Sequence, residues 1–464
     1  MTLAERYGQF LSGMTWDDLP GHVREKILDL VADWMANAAA GLGSEIGQAL
    51  SAVAQEPVGN IYSVLLGSLE KAAPLNAALI NGGACHALEF DDAYRKGLYH
   101  PGAPVISSAW AAAGILPVPG CRFLSAVAAG YEVSMRIAEA VNPDHNRRWH
   151  TTGTVGSLGA AAAASHCLGL DAKQSTSALG LAGTQAAGLW EILPDAPAAK
   201  GLHAGRAAQS GLMAALLAKQ NIPGPSTILE GPRGMFNAMV SAPLDSSACL
   251  EGLGQMWRLS ETTIKAYPVC GHTMTSIEAA LVLAQHVEPD DIRTIEIRAH
   301  SVSADVAGIP APRTVAEAKF SIAFCTALAL ARKRVILQHF VPSLLTDPAI
   351  LSLLSKTRLV VDDALTSTPG LRPAKVTLWL QDGAVRSETA CTRKGDPENP
   401  LTRDEVKTKF MDLTGPVWKR DGAAAVFEAI GCLIESKNFY SWLDSYLLPW
   451  QKKTVFHNPS PGFP

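Results

Sequence analysis

The sequence predicts a mainly α fold: a large all-helical domain built from both chain ends, with an inserted smaller α+β lid domain. Three observations predict it. Apolar residues make up 48% of the 464 residues but aromatics only 6%, so alanine and leucine carry the core, and alanine loses little entropy in a helix. Helical spacing of apolar residues recurs as far as residue 264. After Lys265 the texture changes, and alternating segments interleave with helical ones over roughly 130 residues, the size of a small domain. The expected boundaries are 1–264 and 395–464 for the helical domain and 265–394 for the lid.

Residues 23–40 place Ile27, Leu30, Val31, Trp34 and Met35 on one helical face, with Pro20 ahead and Gly41 as a stop. Residues 107–113 and 124–140 follow, punctuated by Gly120 and Pro143. The stretch 153–169 is almost wholly Ala, Gly, Ser and Leu, which suits a helix packed closely and buried on most sides. Residues 205–218 repeat that character. About a dozen helices and no strand are expected before residue 260. Beyond Lys265, residues 294–299, 358–362 and 375–380 read as strands, the last followed by a hairpin turn at Asp382-Gly383. Helices are expected at 276–285, 315–332, 349–355, 402–413 and 422–434, and a loose tail near Pro464.

Composition excludes several functions. A net charge of −4 from 39 basic and 43 acidic residues offers no polycation for nucleic acid. Residues 1–8 hold no apolar signal core, and runs such as 158–164 are too short to span a bilayer. The expectation is a cytoplasmic protein with neither nucleic acid nor membrane as partner. Eight cysteines show no Cys-x-x-Cys spacing, which argues against zinc ribbons and dithiol redox chemistry. No organic cofactor is expected: no Gly-x-Gly-x-x-Gly follows a strand, and 205–211 lacks the context of a phosphate loop. His86, Asp91, Asp92 and His100 could be read as a metal site. Adjacent carboxylates point in different directions, however, so no metal is expected.

Five polar islands interrupt the small and apolar sequence, at 81–102, 149–154, 200–208, 264–272 and 319–324. The second opens the small-residue helix with His150, Thr151 and Thr152. Threonines can cap a helix start, and free N–H groups there favour an anion. Each island has a structural alternative, since buried histidines are commonly hydrogen-bonded core residues and Asp91-Asp92 could cap the next helix. Their coincidence is what argues for function.

The islands resemble the MmgE/PrpD family. The resemblance rests on Phe90-Asp91-Asp92 with His100-Pro101, and on Trp149-His150-Thr151 with Gly153 and Gly156. It continues in Lys200 with His203 and Gly205, Lys265 with Tyr267-Pro268, and Lys319-Phe320-Ser321-Ile322. It implies a helical main domain, a smaller α+β lid, a homodimer without organic cofactor, and an active site between the domains. His100, His150, Lys200 and Lys265 match the family's active-site positions and are the expected catalytic residues. Asp91, Asp92, Tyr94, Thr151, His203, Arg206, Tyr267 and His272 are the expected substrate contacts.

The shared chemistry implied is loss of a proton or CO2 beside a carboxylate of a polycarboxylic acid, with cations stabilising the carbanion. Three positions depart from the dehydratase and decarboxylase pattern: Glu89 replaces an aspartate, Ala93 a threonine and Phe324 a tyrosine. A histidine common near Cys270 is missing, although His272 lies two residues on. General-acid help to a departing hydroxide suffers most from such losses. Epimerisation of iminodisuccinate is therefore the expected reaction. A 2-methylcitrate dehydratase or cis-aconitate decarboxylase activity is the alternative, and a non-catalytic polycarboxylate-binding protein the outside one.

Overall fold

Glycine and alanine let helix backbones in the first half of the chain approach more closely than larger side chains would allow. The structure, a computed structural model, describes all residues except 55, 57–58, 193–195, 242–243, 368–370 and 452–464. The expected loose tail lies outside the described residues. Two compact units are present, Met1–Thr262 with the segment from Thr402, and Thr263–Leu401.

The first unit contains α1 (Leu3–Gly13), α2 (Gly21–Gly41), α3 (Glu45–Val53), α4 (Pro74–His86) and α5 (Gly102–Ala113). It continues with α6 (Gly120–Val141), α7 (Thr151–Leu168), α8 (Ala172–Gly183), α9 (Lys200–Lys219) and the short α10 (Met235–Met239). Every residue of α7 is buried, and α5, α6, α8 and α9 pack around it. The crossing of α4 and α9 depends on Gly205, where a Cβ would lie 2.3 Å from the Leu79 carbonyl oxygen. That close crossing brings the end of α4 to the start of α9.

The expectation of no strand before residue 260 is corrected: β1 (Ser63–Val64) and β2 (Lys71–Ala72) pair antiparallel. Two-residue strands are too short to display alternation, which is why no periodicity revealed them.

The second unit contains α11 (Met274–Leu283), β3 (Ile292–Ala299), α12 (Ser301–Ala307), α13 (Val315–Lys319) and α14 (Ile322–Arg332). It then runs through α15 (Pro348–Ser355), β4 (Thr357–Val361), α16 (Asp363–Thr366), β5 (Ala374–Leu380) and β6 (Val385–Ala390). The sheet order is β4-β3-β5-β6, with β4 parallel to β3 and the other pairs antiparallel. Alternation in β3 buries Ile295 and Ile297, and in β5 Val376 and Leu378. These meet Ile277 of α11 and Leu328 of α14 in one core. The single helix expected over 315–332 is broken, because the Ser321 hydroxyl accepts from Phe324 N (3.1 Å) and starts α14 afresh.

Helix α17 (Arg403–Ala429) returns to the first unit and packs on α2. Two helices were expected there. Two helical stretches are present, the first running on through Pro416, and they are joined at a kink where Lys419 takes a non-helical conformation with φ +61°. Among the described residues no helix is long and apolar enough to cross a membrane.

Candidate active site

Three helix starts meet the end of a fourth. His100 lies two residues ahead of α5, His150 is the N-cap of α7, Lys200 is the first residue of α9, and His86 is the last residue of α4. None of the three starts carries an acidic residue within its own first turn, although carboxylates from outside the helices reach two of them, Asp92 at α5 and Glu89 at Lys200 of α9. The His86 ring lies 4.8 Å from His100 and 5.3 Å from His150, stacked on the latter at 22°. His150 in turn lies 5.4 Å from His203, with Nδ1 to Nδ1 at 3.2 Å. Trp190 covers another side of His150 at 4.4 Å.

Lys200 and Glu89 form an ion pair of 2.5 Å. Glu89 sits at φ +57°, a left-handed conformation uncommon for a non-glycine residue and enriched at functional sites. The turn that carries it is pinned from α17: the Lys409 ammonium donates to the Phe90 carbonyl (2.7 Å), pairs with Asp33 (2.6 Å) and lies over the Phe90 ring.

Electrostatics separate the members. Burial pushes the His150 pKa well below its ordinary value, and positive charge on His86, Lys200, His100 or His203 pushes it the same way. His203 is lowered by burial first, then by His86 and Lys200. At neutral pH His150 is therefore an uncharged imidazole, suited to accept a proton. Asp92 moves oppositely: burial raises it to about 7, against the Tyr131 hydroxyl that donates to it.

The two aspartates point apart. Asp91 Oδ2 meets His86 Nδ1 at 2.7 Å and His100 Nδ1 at 3.5 Å. Asp92 accepts from Tyr131 OH (2.7 Å) and from the Gly102 N–H (2.9 Å), so it caps the start of α5. The threonines of α7 do not cap it as expected. Thr151 Oγ1 accepts from Asn142 at 3.2 Å, and Thr152 Oγ1 accepts from the His100 N–H at 3.2 Å. The second bond ties two of the helix starts together.

The structure thus brings together His100, His150, Lys200, His203 and Asp91, with Asp92 and Thr151 as their supports. Tyr94 faces away, donating to Glu139 at 3.0 Å. Arg206 is exposed and bonded to Gln209. With His203 it lines a cavity of about 650 Å³ that is otherwise largely apolar, bordered by Trp149, Leu189 and Leu202. Lys265, Tyr267 and His272 belong to the α+β unit. Lys265 is buried there. Tyr267 packs on that unit's core, which also buries Phe324. His272 contacts the Ser303 hydroxyl at 3.2 Å and is pushed down to about 4, by burial and then by Arg393 and Arg372.

Sequence reasoning missed His86, Glu89, Trp190 and Tyr131 as members of the site. His86 and Glu89 left signals, the first as a possible metal ligand five residues before Asp91 and the second as a departure from the family pattern. His86, Asp91 and His100 place donor atoms within 4.8 Å of one another and could hold a cation. Both imidazole Nδ1 atoms are already engaged, His86 by Asp91 and His100 by the Asp92 carbonyl at 2.8 Å, so an ion bound through those atoms would displace protein hydrogen bonds.

A helical unit with a half-buried cluster of imidazoles and one ammonium at converging helix starts is the framework of an acid–base site for anions. The chain belongs to the MmgE/PrpD family: the family's N-terminal domain model matches residues 5–246 and its C-terminal domain model residues 267–433. It is similar to the cis-aconitate decarboxylase-like protein oryM of Aspergillus oryzae, at 29% identity over 86% of this chain and 88% of that protein. Similarity also extends to the cis-aconitate decarboxylase of Homo sapiens, at 27% identity over 99% of this chain and 95% of that one. The cis-aconitate decarboxylase of Aspergillus terreus is 25% identical over 88% of both chains.

Proposed function

We propose that the chain is a cofactor-independent lyase that decarboxylates a small unsaturated polycarboxylate of the cis-aconitate kind. The observation that carries this reading is the convergence of three helix starts, Lys200 and four histidines in one half-buried cluster. The dipoles and the ammonium favour an anion, and several such groups suit a substrate with several carboxylates. The decarboxylase names of the relatives support the choice of reaction.

Breaking the bond to the departing carboxylate releases CO2 and leaves an electron pair on carbon. Conjugation carries that charge onto a neighbouring carboxylate, where Lys200 and the helix starts stabilise it. A proton must then return to carbon; His100 is the imidazole offered to deliver it, and the uncharged His150 can take up a proton from solvent to resupply the site. The resemblance retains Lys265 as a fourth catalytic residue and a homodimer as the working form, which light scattering at twice the 49.0 kDa chain mass would support.

Epimerisation of iminodisuccinate is the second reading. It is favoured by Ala93 and Phe324, which put no hydroxyl where the dehydratase and decarboxylase pattern has one. Incubation in D2O with cis-aconitate, 2-methylcitrate and single stereoisomers of iminodisuccinate, followed by proton NMR, separates the readings. The expected result is loss of CO2 from cis-aconitate with deuterium in the product. Exchange and racemisation of iminodisuccinate without decarboxylation would replace the lyase by the epimerase. No turnover of any substrate would leave a polycarboxylate-binding protein.

A further inference from the structure

His86 is a buried imidazole at the centre of the cluster to which the proposed chemistry assigns no role. We propose that His86 and Asp91 form an orienting dyad, a pair of positioning residues that fixes one imidazole tautomer and sets the rings of His100 and His150 against it. The inference rests on reading the cluster as an acid–base site, and it deepens that reading.

Three observations converge. His86 Nδ1 and Asp91 Oδ2 are 2.7 Å apart, and both residues are only 1% exposed. A carboxylate at that distance holds the proton on Nδ1 and leaves Nε2 as a lone pair. Among the described residues Nε2 has no hydrogen-bond partner, a costly state for a buried polar atom and one that calls for an explanation beyond packing. His166, also buried, shows what a packing histidine does: Nδ1 meets the Leu11 carbonyl and Nε2 the Ser125 hydroxyl, each at 2.8 Å. His145 also leaves one nitrogen unpartnered, but its partner at Nε2 is the Thr154 hydroxyl rather than a carboxylate.

The second observation is position. His86 stacks on His150 and meets His100 edge to face, so two of the expected catalytic rings rest on it. The third is that Asp91 is shared, reaching His100 Nδ1 at 3.5 Å as well. One carboxylate therefore bears on two imidazoles. The charged and titratable groups facing His86 are Asp91, His100 and His150, with Lys200 and His203 beyond them.

Asp91→Asn tests the dyad, since its amide can present N–H to Nδ1 and drive the proton to Nε2. In serine proteases the equivalent exchange keeps the geometry and lowers turnover about 10⁴-fold through the wrong tautomer. Long-range proton–nitrogen correlation spectra of the ¹⁵N-histidine-labelled full chain should show the wild-type His86 proton on Nδ1 at pH 7. In Asp91→Asn it should move to Nε2 and the His100 and His150 signals should shift. Turnover should fall about 100-fold or more with KM changed less than about threefold. His86→Asn, which keeps a donor at the Nδ1 position, should retain more turnover than His86→Gln, a contrast that a merely structural role would not produce.

Wild-type His86 carrying its proton on Nε2, or on both nitrogens, overturns the dyad. So does an Asp91→Asn chain whose His100 and His150 signals and turnover match wild type. Should Asp91→Asn fail to fold, the wild-type tautomer and the His86→Asn against His86→Gln contrast decide. If the wild type turns over no polycarboxylate, the lyase reading fails, while the tautomer and the ring signals still decide the dyad.

Discussion

Helix α7 carries a buried histidine at each end, and the two live in opposite chemistry. His166, in the last turn, spends both nitrogens on the Leu11 carbonyl and the Ser125 hydroxyl. His150, at the N-cap, is surrounded by His86, His100, His203 and Lys200, all of which disfavour its charge. Both are held neutral by burial, but only one faces groups able to move a proton or hold an anion. The difference teaches that burial and a lowered pKa do not by themselves mark a candidate for catalysis; what sets His150 apart from His166 is the groups around it.

That contrast can be broken most severely at the polar end. Lys200→Ala and His150→Ala should each lower turnover about 10²–10⁴-fold while circular dichroism stays that of the wild type, since positioned acid–base groups contribute on that scale. Retained turnover in either would make the two ends alike. Lys265→Ala should fall in the same range.

The opposite end answers to pH. His166 is pushed down to about 4, by burial first. As pH falls from about 6.5 towards 4 the unfolded chain takes up a proton that the folded chain refuses, so the stability His166 confers is lost over that window. The stability gap between wild type and His166→Gln should narrow there by roughly 3 kcal/mol, at about 1.4 kcal/mol per pKa unit. Denaturant titrations at pH 7 and pH 4.5 measure it, and an unchanged gap would contradict the assignment.

Glycines sharpen the comparison at smaller scale. A Cβ on Gly153 would meet the Ala187 carbonyl at 2.5 Å and His203 at 3.2 Å, near the polar end. One on Gly211 would meet Ala160 and Ala161 farther along α7, at 2.4 and 2.5 Å. Each Gly→Ala change should cost about 1–3 kcal/mol of stability, but only Gly153→Ala should also reduce turnover. Smallest of all is the expected effect of a chelator: prolonged EDTA treatment should leave turnover unchanged, because the proposed chemistry uses no metal ion.

Much of this was legible in the chain. Period-two alternation at 294–299 and 375–380 became β3 and β5, and the small-residue stretch from Gly153 became the fully buried α7. His100, His150, Lys200 and His203 stood out as polar islands in apolar sequence, and the structure gathers them. The rest depended on contacts that no local pattern encodes. His86 stacks on a ring 64 residues away, Glu89 takes a left-handed turn to reach Lys200, and Lys409 returns from the far end of the chain to hold Phe90. Tyr94 and Arg206 were legible as polar residues but not as ones facing elsewhere. The two helices expected near the C-terminal end are there, and only the place of the break, Lys419 rather than the Gly415-Pro416 pair, escaped the local pattern.

The most direct measurement compares His150→Gln with His166→Gln in one assay, recording kcat on the wild type's substrate and the thermal midpoint. His150→Gln should lose at least about 100-fold in kcat with a midpoint within a few degrees of wild type, and His166→Gln should lose stability with kcat nearly intact. Equal losses of kcat in the two variants would contradict the account, and would make His150 a packing residue like its counterpart at the other end of the helix.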